Sequence, residues 1–126
     1  MSTKPRILIV DDHPTNRRLP AKLLSIWGWV CDQAADGEAA LARLAIAQYD
    51  AVLLDLSMPG ISGYEVCHRI RTDAALKSMR IIAYTSMSSS EDVIRAAGFD
   101  GLINKPLVPK KLFALLETPQ PGSTEP

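Results

Sequence analysis

Four short motifs place residues that could do chemistry directly after apolar segments of the chain. ILIV is followed by Asp11 and Asp12, AVLL by Asp55, IIAY by Thr85, and LIN by Lys105. An ionised carboxylate next to a hydrophobic core costs free energy unless it is paired or bound to a metal. Three carboxylates gathered at one place would also repel one another. A hard divalent cation such as Mg²⁺, which prefers oxygen ligands and retains several waters, relieves both problems.

The same residues suggest a reaction at phosphorus. A carboxylate that the metal leaves available can attack a phosphoryl group and form an acyl phosphate. The metal and the ammonium group of Lys105 would neutralise charge on the transferring phosphoryl group. The hydroxyl of Thr85 or Ser86 could hydrogen-bond a phosphoryl oxygen. The residue set therefore predicts phosphoryl transfer to an aspartate.

These motifs meet only if the chain folds as alternating strands and helices, and its pattern predicts five such pairs. Predicted strands cover residues 6–10, 30–34, 49–54, 80–84 and 101–104. Predicted helices cover 14–27, a segment capped by Asp36, a segment from Ser62 to about 71, a segment from Ser88 to Gly98, and 108–117. Alternation of this kind is typical of an α/β fold, a five-stranded parallel sheet with helices on both faces. Ligands of such sheets bind beyond the carboxyl ends of the strands, where the motifs fall.

Length and composition bound the possibilities further. The chain has 126 residues and a formal net charge of zero, which disfavours nucleic acid or an anionic membrane as a direct partner. The first residues, MSTKPR, contain no apolar segment typical of a signal peptide, so we expect a cytoplasmic protein. One domain over residues 5–117 is expected, and the Pro-rich, polar segment 118–126 is expected to be a disordered tail.

Taken together, ILIVDD, VLLDLSMPG, AYTS and INKP resemble the motifs of a response-regulator receiver domain of two-component signalling, a (βα)5 flavodoxin-like or CheY-like fold. The resemblance covers residues 5–117 and implies a role for each matching position. Asp55 would accept the phosphoryl group, Asp12 would bind Mg²⁺ directly, and Asp11 would bind it mainly through water. The Ser57 backbone carbonyl would be a further metal ligand, and Thr85 would contact the phosphoryl group. Lys105 would pair with Asp55 or with its phosphate, and the Lys105–Pro106 peptide would be cis.

The resemblance also implies partners. The phosphodonor would be a sensor histidine kinase or a histidine phosphotransfer protein, and the output would be an unidentified downstream protein. Such a protein would be a single-domain, Mg²⁺-dependent response regulator, a monomer or weak dimer that catalyses only its own phosphorylation and dephosphorylation. It would work either as a phosphate shuttle or as an endpoint.

Three features depart from the family pattern. The switch pair would be Thr85 and Leu102, because leucine stands where the family usually has an aromatic residue, three positions before Lys105. The segment 86–98 is about two residues shorter than expected. Pro20 lies inside the first helix pattern, so a kink or a late helix start is expected, since proline removes a backbone hydrogen bond there.

Other functions remain open alternatives. A pseudo-receiver would bind partners without phosphorylation, but all the acidic and phosphate-contacting residues are retained. An aspartyl-nucleophile phosphatase of the haloacid dehalogenase type needs a second acid two residues after the nucleophile, where this chain has Ser57. A nucleotide-binding domain is poorly supported, since neither glycine-rich phosphate-binding motif occurs. His13 beside the acidic pair is interpreted as an exposed residue at a helix start.

Overall fold

Five strands and five helices alternate along the computed structural model, which describes residues 4–86 and 89–117. The strands are β1 (Arg6–Val10), β2 (Val30–Ala34), β3 (Ala51–Asp55), β4 (Arg80–Thr85) and β5 (Gly101–Asn104). The helices are α1 (Pro14–Ile26), α2 (Gly37–Ile46), α3 (Gly63–Arg71), α4 (Glu91–Ala96) and α5 (Pro109–Glu117). Within these ranges, no helix combines the length and the apolar character that crossing a bilayer requires.

All five strands pair in parallel, in the order β2-β1-β3-β4-β5. Side chains alternate between the two faces of the sheet. Leu8 and Val52 join the apolar cluster beneath α2, α3 and α4, whereas Ile7 and Leu53 join the cluster beneath α1 and α5. Both faces of the central strands are therefore buried, which is why their sequences are almost continuously apolar. The predicted α/β fold with helices on both faces is confirmed.

Several helix ends follow their predicted chemistry. The Asp36 carboxylate accepts a hydrogen bond from Ala39 N at 2.8 Å and caps α2. The hydroxyl of Ser62 accepts one from Glu65 N at 3.2 Å and caps α3. After α4, Gly98 has φ +111°, a left-handed conformation that only glycine adopts readily. These local interactions fix where α2 and α3 begin and where α4 ends.

Other boundaries differ from the prediction. Strand β3 begins at Ala51, which pairs with Ile7, rather than at Tyr49. The Tyr49 side chain donates from its hydroxyl to Asp32 Oδ2 at 2.6 Å. Helix α4 is capped by Ser90, whose hydroxyl accepts from Asp92 N at 3.2 Å, and the predicted cap Ser88 lies outside the described residues. The segment 118–126 also lies outside them.

Helix α1 begins at Pro14, as its pattern predicted, which excludes a late start, one of the two alternatives expected from Pro20. Pro14 suits the start, because its missing N–H has no helical partner at that position. The helix then continues through Pro20, which is buried. A kink at Pro20 remains a prediction.

Candidate functional site

The carboxyl edge of the sheet gathers the residues that the four motifs contain. Asp11 follows β1, Asp55 ends β3, Thr85 ends β4 and Lys105 follows β5. They share one edge because all the strands run in the same direction. The carboxylates of Asp11, Asp12 and Asp55 each present an oxygen atom within 4.8 Å of the others. The predicted acidic cluster is therefore present in the folded chain.

Burial distinguishes the three carboxylates. Asp11 is fully buried and Asp55 is 4 % exposed, whereas the Asp12 side chain keeps 24 % of its surface exposed. A cleft opens above Asp55, and its lining includes Asp12 but not Asp11, together with Ser57. The Asp55 carboxylate lies in this cleft, where an incoming group can reach it. Asp12 is placed to contact the same group, whereas Asp11 is buried behind the lining of the cleft.

Backbone N–H groups hold the two buried carboxylates, and a side chain holds the Asp11 backbone. Asp11 Oδ1 accepts from His13 N at 2.9 Å, and Asp55 Oδ1 accepts from Ser57 N at 3.2 Å. Arg17, on α1, donates from Nη1 to the Asp11 carbonyl at 2.7 Å. Sequence reasoning missed Arg17, since a contact to a backbone carbonyl leaves no motif. His13 is exposed, as predicted, and occupies the N-cap position before α1.

Lys105 is the only lysine or arginine ion-paired with this cluster among the described residues. Its Nζ lies 2.6 Å from Asp11 Oδ2 and 3.6 Å from Asp55 Oδ1, so the nearer partner is Asp11 rather than the expected Asp55. The ammonium group also lies 4.9 Å from the centre of the Tyr84 ring, within cation–π range. The Lys105 N–H donates to the Thr85 carbonyl at 2.8 Å, and the Lys105–Pro106 peptide is cis.

The electrostatic balance at the cluster is unfavourable for a negative charge on Asp55. Burial raises the pKa of the Asp55 carboxyl above its ordinary value of 3.8, and the neighbouring Asp11 and Asp12 carboxylates raise it further. The Ser57 N–H and Lys105 lower that pKa without cancelling the rise. One ammonium group thus pairs with two of the three clustered carboxylates, an arrangement in which a further positive charge would stabilise the ionised form.

The donor set fits a magnesium ion. All three clustered side chains offer carboxylate oxygens, the ligands that Mg²⁺ prefers, and the cleft leaves room for the waters that it retains. Asp11 Oδ2 is buried and, although it faces Lys105, accepts no hydrogen bond of good geometry. That oxygen retains capacity for a further partner, such as a metal-bound water.

A comparison with models of protein families identifies the family of this chain. The model of the response regulator receiver domain matches residues 7–117, which is most of the chain. The chain belongs to the response-regulator receiver family. Members of this family take part in two-component signalling, are phosphorylated on an aspartate, bind Mg²⁺ at an acidic pocket and interact with histidine kinases.

Individual relatives place the receiver in different contexts. The transcriptional regulatory protein TcrA of Mycobacterium tuberculosis is 38% identical over 115 residues, covering 88% of this chain and 44% of TcrA. The sensor histidine kinase RcsC of Escherichia coli is 39% identical over 103 residues, covering 80% of this chain and 11% of RcsC. The chain thus spans less than half the length of these curated relatives.

Two similar solved structures are single receivers that this chain covers over nearly their whole length. The chemotaxis response regulator CheY4 of Vibrio cholerae is 31% identical with a TM-score of 0.83, covering 91% of this chain and 98% of CheY4. The response regulator TrrA of Thermotoga maritima, solved with Mg²⁺ and BeF, is 36% identical with a TM-score of 0.77, covering 88% of this chain and 98% of TrrA. The receiver fold of this chain is therefore a CheY-like one.

Gly63 supports the receiver site in a way that sequence reasoning missed. It is the first residue of α3, and its N–H donates to the Leu56 carbonyl at 3.1 Å. A Cβ atom at this position would collide with the Asp55 carbonyl oxygen and lie 2.8 Å from Leu56 Cα. The glycine thus allows α3 to approach the backbone that carries Asp55. Its presence directly after the Ser62 cap, where most helices carry a side chain, is the available sequence signal.

Leu102, at the proposed switch position, is 3 % exposed and belongs to the apolar cluster beneath α2, α3 and α4. Its strand partner is Ala83, two residues before Thr85. The neighbouring Ile94 and Phe99 are buried in the same cluster. The structure therefore places Leu102 in the core rather than at the cleft.

Proposed function

We propose that this receiver is a Mg²⁺-dependent phosphoacceptor in which Asp55 takes the phosphoryl group. The observation that carries the proposal is the position of the Asp55 carboxylate, 4 % exposed in a cleft that it shares with Asp12 and Lys105. Residues 5–117 would form the receiver unit. The donor would be a sensor histidine kinase or a histidine phosphotransfer protein.

Each side chain has a distinct part in the transfer. An Asp55 carboxylate oxygen attacks the phosphorus of a phosphohistidine, so that an O–P bond forms as the N–P bond breaks and the imidazole leaves. A bound Mg²⁺ would be held by Asp12, Asp55 and the Ser57 carbonyl, with Asp11 acting through water, and it would neutralise charge on the phosphoryl oxygens. Lys105, whose Nζ lies 3.6 Å from Asp55 Oδ1, would supply a second positive charge.

Lys105 has to change partners during this reaction. In the unphosphorylated structure its ammonium lies 2.6 Å from Asp11 and 3.6 Å from Asp55. A phosphoryl group on Asp55 places new anionic oxygens near that ammonium. Lys105 then gains a stronger partner and holds the acyl phosphate, while the Thr85 hydroxyl donates a hydrogen bond to a phosphoryl oxygen. The same groups remain in place for dephosphorylation by water.

The remaining parts of the proposal concern context. Phosphorylation would control the binding of a downstream protein or onward transfer of the phosphoryl group, and the receiver would act as a cytoplasmic monomer or weak dimer without turning over a metabolite. A phosphatase function is disfavoured, because Ser57 stands where the second catalytic acid would be needed.

Incubation with Mg²⁺ and acetyl phosphate tests the proposal. Wild-type protein should gain one acid-stable, base-labile phosphoryl group, measured as intact mass. Asp55→Asn should gain none, and Asp12→Ala should lose labelling more completely than Asp11→Ala. Asp32→Asn is the matched control, since Asp32 lies on β2, outside the cluster, and should label normally. No labelling of the wild type would favour the pseudo-receiver, and normal labelling of Asp55→Asn would exclude Asp55.

A further inference from the structure

Tyr84 places a buried aromatic ring beside the phosphorylation site. It precedes Thr85 in β4 and pairs across the sheet with Asp55 on β3. Paired residues of parallel strands point to the same face, so the ring and the Asp55 carboxylate stand on one face, on strands about 4.8 Å apart. Tyr84 is 3 % exposed and packs in the apolar cluster beneath α1 and α5. The ring is therefore part of the core and a neighbour of the phosphorylation site.

The ammonium group of Lys105 lies over the face of that ring. Its Nζ is 4.9 Å from the ring centre, 2.6 Å from Asp11 Oδ2 and 3.6 Å from Asp55 Oδ1. Burial raises the pKa of the Tyr84 hydroxyl, and the Asp11 and Asp55 carboxylates raise it further, so the ring is neutral. The ammonium thus has one aromatic partner besides its two anionic ones, and a neutral ring face attracts a cation.

The aromatic contact differs from the carboxylate contacts in what it tolerates. Lys105 carries its charge on a flexible four-carbon stem, and in the unphosphorylated structure Asp11 is its nearer anion. Reaching hydrogen-bond distance of Asp55 requires a movement of about 1 Å, which breaks or lengthens the Asp11 contact. A cation–π contact persists out to about 6 Å from the ring centre. The ring therefore offers a contact that Lys105 can keep throughout the movement.

We propose that Tyr84 is a positioning residue, which retains the Lys105 ammonium at the site while it passes from Asp11 to the phosphoryl group on Asp55. This inference rests on the phosphoacceptor function proposed above. A charged group that is already held in place lowers the barrier, because its ordering is not left to the transition state. Without the ring, the ammonium would have to be ordered during the transfer itself. If Tyr84 only filled space, by contrast, any buried apolar residue of similar size would serve.

Two substitutions separate the ring from the hydroxyl and from simple burial. Tyr84→Phe keeps the ring, and its rate of labelling by acetyl phosphate with Mg²⁺ should stay within about twofold of wild type. Tyr84→Leu keeps an apolar side chain without a π face, and its rate should fall about fivefold. An unchanged rate in Tyr84→Leu, or an equal fall in Tyr84→Phe, would overturn the inference.

Ile103→Ala is the matched control for damage to the core. Ile103 is 1 % exposed, pairs with Tyr84 across the sheet and lies in the same apolar cluster. The substitution should lower the free energy of unfolding but leave the labelling rate of the folded protein within about twofold of wild type. A fivefold fall in this control would show that packing, rather than the ring, sets the rate.

A double-mutant cycle tests whether Tyr84 acts through Lys105. In a Lys105→Gln background, which labels more slowly, Tyr84→Leu should cause no further fall in rate, since the ring has no ammonium to hold. A further fivefold fall there would contradict the inference. If Tyr84→Leu does not fold, phenylalanines with one, two or three ring fluorines are incorporated at position 84. Fluorine weakens the attraction of the ring face for a cation at nearly constant shape, so the rate should fall with each fluorine, and a flat series would contradict the inference.

The Lys105 side chain provides a readout that needs no phosphodonor. In unphosphorylated protein carrying ¹³C-labelled lysine, the ring current should shift the Lys105 ε-methylene protons upfield in wild type and in Tyr84→Phe, but not in Tyr84→Leu. Labelling of wild type at Asp55 together with identical Lys105 shifts in wild type and Tyr84→Leu would overturn this inference alone. Absence of wild-type labelling would instead overturn the phosphoacceptor proposal on which it rests.

Discussion

Two acidic groups in this receiver, Asp55 and Asp32, have opposite surroundings. Asp55 shares its place with two more carboxylates and lies 3.6 Å from one ammonium. Asp32 stands with an excess of cations: its Oδ2 accepts from Arg6 Nη2 at 2.8 Å and from the Tyr49 hydroxyl at 2.6 Å, and Arg43 Nη2 lies 3.1 Å away. The first group is short of positive charge, and the second is fully supplied with it.

Their pKa values move in opposite directions for these reasons. Burial and neighbouring carboxylates raise the pKa of Asp55, whereas the Tyr49 hydrogen bond, followed by Arg6 and Arg43, lowers that of Asp32. A carboxylate whose charge is already balanced by arginines links parts of the fold and gains little from binding a cation. A carboxylate whose charge is not balanced binds a cation readily. The contrast distinguishes a structural ion cluster from a site prepared for Mg²⁺ and phosphate.

Disrupting the backbone under Asp55 should have the largest effect. Gly63→Ala adds a methyl group against the Asp55 carbonyl and Leu56, so helix α3 or strand β3 must shift. We expect the free energy of unfolding to fall by about 3 kcal/mol, as overpacking does in a close-packed core. Urea denaturation measures the loss, and labelling by acetyl phosphate should fall in the fraction that stays folded.

Gly60→Ala is the control for that change. Gly60 has φ +81°, but an added Cβ would meet nothing within 4 Å. It should therefore cost only the strain of the left-handed conformation, about 1 kcal/mol. An equal cost at positions 60 and 63 would show that the close approach to Asp55 is unimportant.

The charge imbalance at Asp55 predicts a gain in stability when its charge is removed. Without Mg²⁺ at pH 7, Asp55→Asn should raise the free energy of unfolding by on the order of 1 kcal/mol, since repulsion is relieved. Adding Mg²⁺ at ten times its Kd should stabilise the wild type by about 1.4 kcal/mol and the variant much less. Thermal unfolding with and without Mg²⁺ measures both. Equal stabilisation of the two proteins would place the metal elsewhere.

Removing the charge at Asp32 should have the opposite effect and lower the free energy of unfolding. Asp32→Asn weakens charge-assisted hydrogen bonds from Arg6 and Tyr49, and we expect a loss of about 1 kcal/mol. Solvent screening keeps the effect modest, because the Arg6 and Arg43 side chains are more than 40 % exposed. Mg²⁺ should stabilise this variant as much as the wild type. A gain in stability for Asp32→Asn would remove the contrast between the regions.

The two groups also predict opposite pH dependence. The folded state holds the Asp55 proton more tightly than the unfolded state does, so its contribution to stability falls as pH rises from 3.8 through the raised pKa. Asp32 contributes stability that is present above 3.8 and is lost as pH falls through its lowered pKa. Comparing each Asn variant with wild type across acidic pH isolates each contribution. Slopes of the same sign would contradict the comparison.

The smallest effect is expected at Leu102. An aromatic ring could move between exposed and buried positions, but Leu102 is 3 % exposed and has no such alternative. Beryllofluoride with Mg²⁺ should therefore shift amides in the loops after β1, β3 and β4 more than those of residues 102–117. Leu102→Tyr should enlarge the response of that segment. Shifts across 102–117 as large as those near Asp55 in the wild type would exclude the muted switch.

The sequence predicted well which residues gather at the site, because their meeting depends on backbone topology. Carboxyl ends of parallel strands share an edge, so Asp11, Asp55 and Lys105 had to meet there. Sequence could not give the nearer partner of Lys105, which depends on side-chain geometry across three strands. Nor did it find Gly63, whose requirement arises from a helix packing against the backbone of β3. The start of β3 was misplaced because it depends on where backbone pairing with β1 begins, at Ile7 and Ala51, which the apolar pattern does not show.

Locating the phosphoryl group itself tests the central claim most directly. After reaction with acetyl phosphate and Mg²⁺, borohydride reduces an aspartyl phosphate to homoserine, and tandem mass spectrometry of the digested chain identifies the converted position. The account predicts conversion at Asp55, dependent on Mg²⁺, and none at Asp32, which serves as the internal control. Conversion at Asp11 or Asp12, or conversion at Asp55 that is unaffected by removing Mg²⁺, would contradict it.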